Sequence, residues 1–161
     1  MTERISETLE TALWEALQEV KDPEIPTVSV VELGMVHRVA AEGGRVTVEM
    51  LPTFVGCPAL DILRRDVTAR LAQVDGVEEV EVRFVLNPPW TSDRITPEGR
   101  RKLAEFGLAP PPAADGPAIA PACPYCGARD TAIENLFGPT ACRAIFYCKA
   151  CRQPFEGLKP V

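Results

Sequence analysis

The chain has 161 residues, 46% of them hydrophobic, and its 17 basic and 23 acidic side chains give a formal net charge of −6. That length suits a domain of about 100 residues with a small appended module, and the hydrophobic share excludes a disordered chain. An acidic balance without a basic stripe argues against nucleic acid as a partner.

No run approaches the roughly 18 apolar residues of a membrane helix. Met1-Thr2-Glu3-Arg4-Ile5-Ser6-Glu7 lacks the apolar core of a signal peptide, so a cytoplasmic protein with no membrane contact is expected. In a reducing compartment the six cysteines read as metal ligands or reactive thiols before disulfides. Charge is unevenly spread, net −8 over residues 1–119 and net +2 over residues 120–161.

In chain order, Ile5, Leu9, Leu13, Leu17 and Val20 recur at spacings of three and four, which predicts an amphipathic helix. It stops at Lys21-Asp22-Pro23-Glu24-Ile25-Pro26, where the prolines impose a stiff turning segment. Asp22 there has two open roles: orienting a metal, thiol or partner, or capping local backbone N–H groups with its own carboxylate. Val28 to Val31 and Leu33 to Ala41 read as extended structure. Glu42-Gly43-Gly44-Arg45 is a hairpin turn, and Val46, Val48 and Met50 alternate on its far side. His37, the only histidine, lies in the first strand of this hairpin and reads as structural or solvent-facing.

That second strand runs into Thr53-Phe54-Val55-Gly56-Cys57-Pro58-Ala59-Leu60. Proline suits the first position of a helix, which makes Cys57 the expected N-cap. A sulfur there sits beside free backbone N–H groups and the positive end of the helix dipole, both of which favour thiolate. A reactive or metal-binding cysteine and a small residue buried at a strand-to-helix corner both fit the spacing. Leu60, Leu63, Val67, Leu71 and Val74 give the helix that follows its apolar side. Asp75-Gly76 ends it, and Val80, Val82, Phe84 and Leu86 alternate in a third strand. Asn87-Pro88-Pro89-Trp90 is a loop in which Trp90 is either a partner-docking anchor or a cover for the edge of its own core. Thr96 should cap a third helix with Pro97 at its first position. The expected fold is α+β: a small two-layer α/β sandwich in α-β-β-α-β-α order on a mixed sheet, spanning residues 1–106.

Residues 107–122 hold five prolines and neither helical nor strand periodicity, and read as a linker. Residues 123–161 form the second unit. Cys123-Pro124-Tyr125-Cys126 and Cys148-Lys149-Ala150-Cys151 are two CxxC knuckles with 21 residues between them, the spacing of a four-cysteine zinc β-ribbon. A segment of this size has too little core to fold unaided, so zinc there would be structural; a four-thiolate iron site is the alternative. Cys142 lies outside both knuckles and reads as a small buried residue or an extra thiol.

Asp22 through Pro26, Leu33-Gly34-Met35-Val36, Thr53 through Ala59, Asn87 through Thr91 and the paired knuckles together resemble the PaaD family, subunits of bacterial phenylacetyl-CoA epoxidase systems. The first domain taken alone is similar to the SufT-like iron-sulfur assembly factors. The resemblance implies an accessory subunit of a monooxygenase system in aerobic phenylacetate degradation, one that assists assembly of an iron or iron-sulfur centre. It implies Cys57 as ligand of transient iron or an iron-sulfur cluster, Asp22 and Thr53 as its neighbours, and Cys123, Cys126, Cys148 and Cys151 as zinc ligands. One cysteine cannot supply the four thiolates usual for a cluster, so a cluster would be shared across a homodimer, shared with a protein partner, or held briefly. The partners expected are oxygenase subunits or an iron-sulfur client. An adaptor that only holds oxygenase subunits through the ribbon, with Cys57 inert, is the alternative. Catalysis by the chain itself is not expected, because a Cys57 nucleophile would want a base and His37 is the single histidine.

Overall fold

A computed structural model describes residues 2–53, 59–112, 120–140 and 142–159. The chain divides into two compact units, Met1–Trp90 and Thr91–Val161.

In the first unit, helix α1 (Thr2–Leu17) precedes strands β1 (Val36–Glu42) and β2 (Arg45–Met50), helix α2 (Ala59–Leu71) and strand β3 (Glu79–Phe84). The sheet order is β1-β2-β3, with β1 antiparallel and β3 parallel to β2. It is therefore mixed, as the strand and helix order predicts. Gly43 and Gly44 turn the hairpin at φ 56° and 86°, which non-glycine residues rarely adopt. Val46, Val48 and Met50 of β2 are fully buried, as are Leu71 and Val67 of α2 and Leu13 and Leu17 of α1. Helices α1 and α2 touch each other and lie against β1 and β3 respectively, so the core is one layer between helices and sheet. The opposite sheet face carries Arg38, Thr47, Glu49, Glu81 and Arg83, as strand alternation requires.

Residues 28–34 depart from the extended reading. Ser29 Oγ accepts from the Glu32 N–H at 3.0 Å and Glu32 Oε1 accepts from the Ser29 N–H at 3.1 Å. This reciprocal cap winds the chain into a turn, closed by Leu33 N–H donating to Ser29 O at 3.0 Å. Gly34, at φ 71°, then releases it into β1. The Ser-x-x-Glu signature was present in the sequence, but a run of valines beside it reads as strand.

The second unit opens with a short 3-10 turn (Ser92–Arg94) and helix α3 (Pro97–Phe106). Thr96 caps α3 as expected, its side chain accepting from Gly99 N–H at 3.0 Å, and Gly107 ends it at φ 90°. Strand β4 (Leu108–Ala109) follows, then β5 (Thr131–Asn135), β6 (Arg143–Cys148) and β7 (Pro154–Leu158), in the sheet order β4-β7-β6-β5. Leu108 and Ala109, which composition assigns to the linker, pair in parallel with Glu156 and Gly157 and are buried. The compact-unit boundary likewise falls at Trp90, so α3 groups with the ribbon and not with the sandwich. The reason is physical: Arg100 of α3 donates to Ser92 O at 2.9 Å and to Pro111 O at 2.6 Å, fastening the helix to the segment that leads out of β4.

Candidate metal centre and assembly site

Four cysteines come together in the second unit. The Sγ atoms of Cys123, Cys126, Cys148 and Cys151 all lie within 4.8 Å of one another. Cys123 and Cys151 approach to 3.7 Å, and Cys126 and Cys148 to 3.6 Å. A tetrahedral zinc with Zn–S bonds of about 2.3 Å has sulfur-to-sulfur edges of about 3.8 Å, close to these two pair distances, so the donor set fits a divalent thiolate-bound metal.

The knuckles are built by their own backbone. Gly127 N–H donates to Cys123 O and Cys123 N–H to Ala128 O, both at 2.9 Å, with Gly127 at φ 77°. In the second knuckle Cys148 N–H donates to Gln153 O at 3.0 Å and Arg152 takes φ 60°. Backbone N–H groups also point at sulfur: Tyr125 N–H at Cys123 Sγ (3.4 Å) and Cys151 N–H at Cys148 Sγ (3.5 Å). Such bonds favour thiolate. The Cys148 thiol is accordingly drawn down to about 7, chiefly by the Cys151 N–H. Burial, then the Cys148 and Cys123 sulfurs, push Cys151 up to about 12. Without a cation the four sulfurs cannot all ionise so close together, and a divalent ion removes that conflict.

Cys142, the cysteine outside the knuckles, is half-buried with its Sγ 3.3 Å from Thr140 Oγ1. All five described cysteines are free thiols.

The other expected site lies in the first unit. Cys57, its Pro58 neighbour and the corner that they form fall within residues 54–58, outside the described residues. Asp22 and Thr53 are both described. Asp22 N–H donates to Val28 O at 2.9 Å, and Leu51 N–H, two residues before Thr53, donates to Met35 O at 2.7 Å. Asp22 Oδ1 accepts from the Glu24 and Ile25 N–H groups at 2.8 and 3.1 Å, the local capping role that the sequence left open. Thr53 is half-buried. At this end of the sheet Met50 and Phe84 are in register at the carboxyl ends of the parallel pair, a usual place for sites in α/β sheets. His37 is exposed on β1.

Trp90 is corrected as a docking anchor. It is 6% exposed, and its indole N–H donates to Leu33 O at 2.8 Å. The ring ties the segment after β3 to the turn before β1 and is spent on the fold. A loop composition of Asn-Pro-Pro-Trp identifies the residue but not the direction of its side chain.

Comparison with known proteins places both units. Residues 10–82 match the family described as iron-sulfur cluster assembly protein, and residues 108–159 match the PaaD zinc beta ribbon domain. The second match starts at β4, in agreement with the pairing of Leu108 and Ala109 into the ribbon sheet. An Escherichia coli protein named as a candidate subunit of a 1,2-phenylacetyl-CoA epoxidase is 36% identical over 91% of this chain and 90% of its own length. The Bacillus subtilis Fe-S protein maturation auxiliary factor YitW is 38% identical over 57% of this chain and 90% of its own. The crystal structure of a domain of unknown function, DUF59, from Bacillus anthracis matches with a TM-score of 0.59 and 34% identity, covering 62% of this chain and 95% of that one. With one relative aligned along nearly its whole length and both domains matched in the same order, the chain belongs to the PaaD family, an iron-sulfur cluster assembly domain followed by a zinc β-ribbon.

Proposed function

We propose that this chain is a cytoplasmic accessory factor for a 1,2-phenylacetyl-CoA epoxidase, assisting assembly of an iron or iron-sulfur centre in that system during aerobic phenylacetate degradation. The observation that carries the reading is the joining of an iron-sulfur assembly domain to a ribbon in one chain, itself 36% identical to a protein named for that epoxidase. Cys57 takes up iron or a cluster as cargo, with Asp22 and Thr53 near it, and the remaining ligands come from a client or a second copy. A site with a single thiolate holds its cargo weakly, which suits transfer better than electron carriage. Cys123, Cys126, Cys148 and Cys151 hold a structural zinc, whose part is to fix the ribbon. Free thiols throughout the described cysteines fit a reducing compartment.

The test is zinc, iron and acid-labile sulfide per chain in protein purified without oxygen and then reconstituted, for the native sequence and for Cys57→Ala. Zinc near one per chain in both, with iron only in the native protein, is the expected result, and sulfide separates cluster from bare iron. Equal iron in both proteins, or none in either after reconstitution, overturns the role of Cys57 and leaves the adaptor.

A further inference from the structure

We propose that the ribbon tip formed by Leu136 and Phe137, with Lys159 beside them, is the surface on which the client docks, Phe137 entering an apolar protein pocket rimmed by carboxylates. This deepens the reading above and rests on the epoxidase being the client. Ile133, Leu136 and Phe137 are 41%, 56% and 82% exposed, and residues 133–137 form one exposed run. The ribbon core does not use them; it is built from Ala109, Cys123, Ala144, Phe146, Cys148 and Phe155. Three large apolar side chains in five residues exceed the scattered exposure normal for a surface.

Their position is set by the fold. Thr131, at the start of β5, pairs with Cys148 at the metal end, so residues 136–137 lie past the opposite end of that strand. The loop there is held in place. Phe137 N–H donates to Asn135 Oδ1 at 2.9 Å, Gly138 N–H to Arg143 O at 3.1 Å, and Lys159 N–H to Cys142 O at 2.9 Å. A Cβ on Gly138 would fall 2.7 Å from Arg143 O, so the loop packs directly on β6. An aromatic side chain on a loop already ordered loses little entropy on docking. Addition of a partner strand to the β5 edge is less suited, because the ladder is interrupted between Ile133 and Asn135.

Charge selects the occupant. Lys159 Nζ lies 5.8 Å from the Phe137 ring centroid and takes part in none of the ion pairs found among the described residues. The acid of β7, Glu156, is taken by Arg143 at 3.1 Å. A pocket that covers Phe137 therefore meets the Lys159 ammonium as well, and carboxylates at its rim complement that charge.

The experiment measures binding of the full-length, zinc-loaded chain to each purified subunit of the same organism's 1,2-phenylacetyl-CoA epoxidase by biolayer interferometry. Phe137→Ser should weaken binding to one subunit about tenfold or more. Lys159→Glu should weaken it and flatten its salt dependence, while Lys159→Arg restores it; all variants should keep their zinc. Native-like binding by Phe137→Ser overturns the docking site, as does a native chain that binds none of the subunits or one whose Phe137 instead drives binding to phosphatidylserine vesicles. Failure of the assembly reading is distinguishable: it shows as equal iron in native and Cys57→Ala protein while docking persists.

Discussion

At the scale of single residues, Trp90 shows how a side chain chosen for its surface chemistry is spent inside the fold. Its N–H satisfies the Leu33 carbonyl, and Leu33 is itself buried. Trp90→Phe keeps an aromatic ring but leaves that carbonyl without its donor, which costs about 1–3 kcal/mol. The expected result in urea is a lower midpoint with unchanged slope for the first unit; an unchanged midpoint would mean that the bond contributes nothing.

At the scale of elements, what the sequence disclosed and what it withheld follow from length and period. Helices α1 and α2 repeat their apolar residues over several turns, β2 alternates over six residues, and Thr96-Pro97 carries its cap in its chemistry, so each was legible. Strand β4 has two residues, too few for any period, and its neighbours are Gly107 and Pro110 to Pro112, so it reads as linker. Only the pairing partner, Glu156 and Gly157 of β7, makes it a strand. The four-cysteine cluster was legible because two short knuckles fix residue type and direction together. The Cys57 corner was read from its chemistry alone, and residues 54–58 lie outside the described residues. The β4 contact yields its own test. A Cβ at position 157 would lie 2.8 Å from the Phe146 ring and 3.3 Å from Ala109 Cβ, and Phe146 is already stacked on Phe155 with centroids 5.5 Å apart. Gly157→Ala should thus overpack the ribbon by about 1–3 kcal/mol. It should surrender zinc at lower chelator concentration than the native chain, followed with a chromogenic zinc indicator, and equal retention would mean that β4 yields to the added methyl group.

At the scale of the whole molecule, the two units draw their stability from different sources, and removing the metal should separate them. The first unit buries leucine, valine and methionine side chains from α1, α2 and the sheet. The ribbon core has six buried residues, of which two, Cys123 and Cys148, belong to the four-cysteine cluster, and one stacked phenylalanine pair supplies most of the rest. Structural zinc is worth about 10–16 kcal/mol in small four-ligand modules, more than such a core can replace. A strong chelator should therefore abolish amide-exchange protection across β5, β6 and β7. Strand β4 should go with them, because its described ladder partner is β7. Strands β1, β2 and β3 should keep their protection, and Cys126→Ser should reproduce the pattern without chelator. Hydrogen-exchange mass spectrometry of the full chain reads all of these segments at once. Protection lost from both units together would mean that the sandwich leans on the metal as well. Protection retained in β6 and β7 after zinc has left would mean that Phe146 and Phe155 suffice to hold the ribbon, and the four cysteines would then have to be explained by something other than folding.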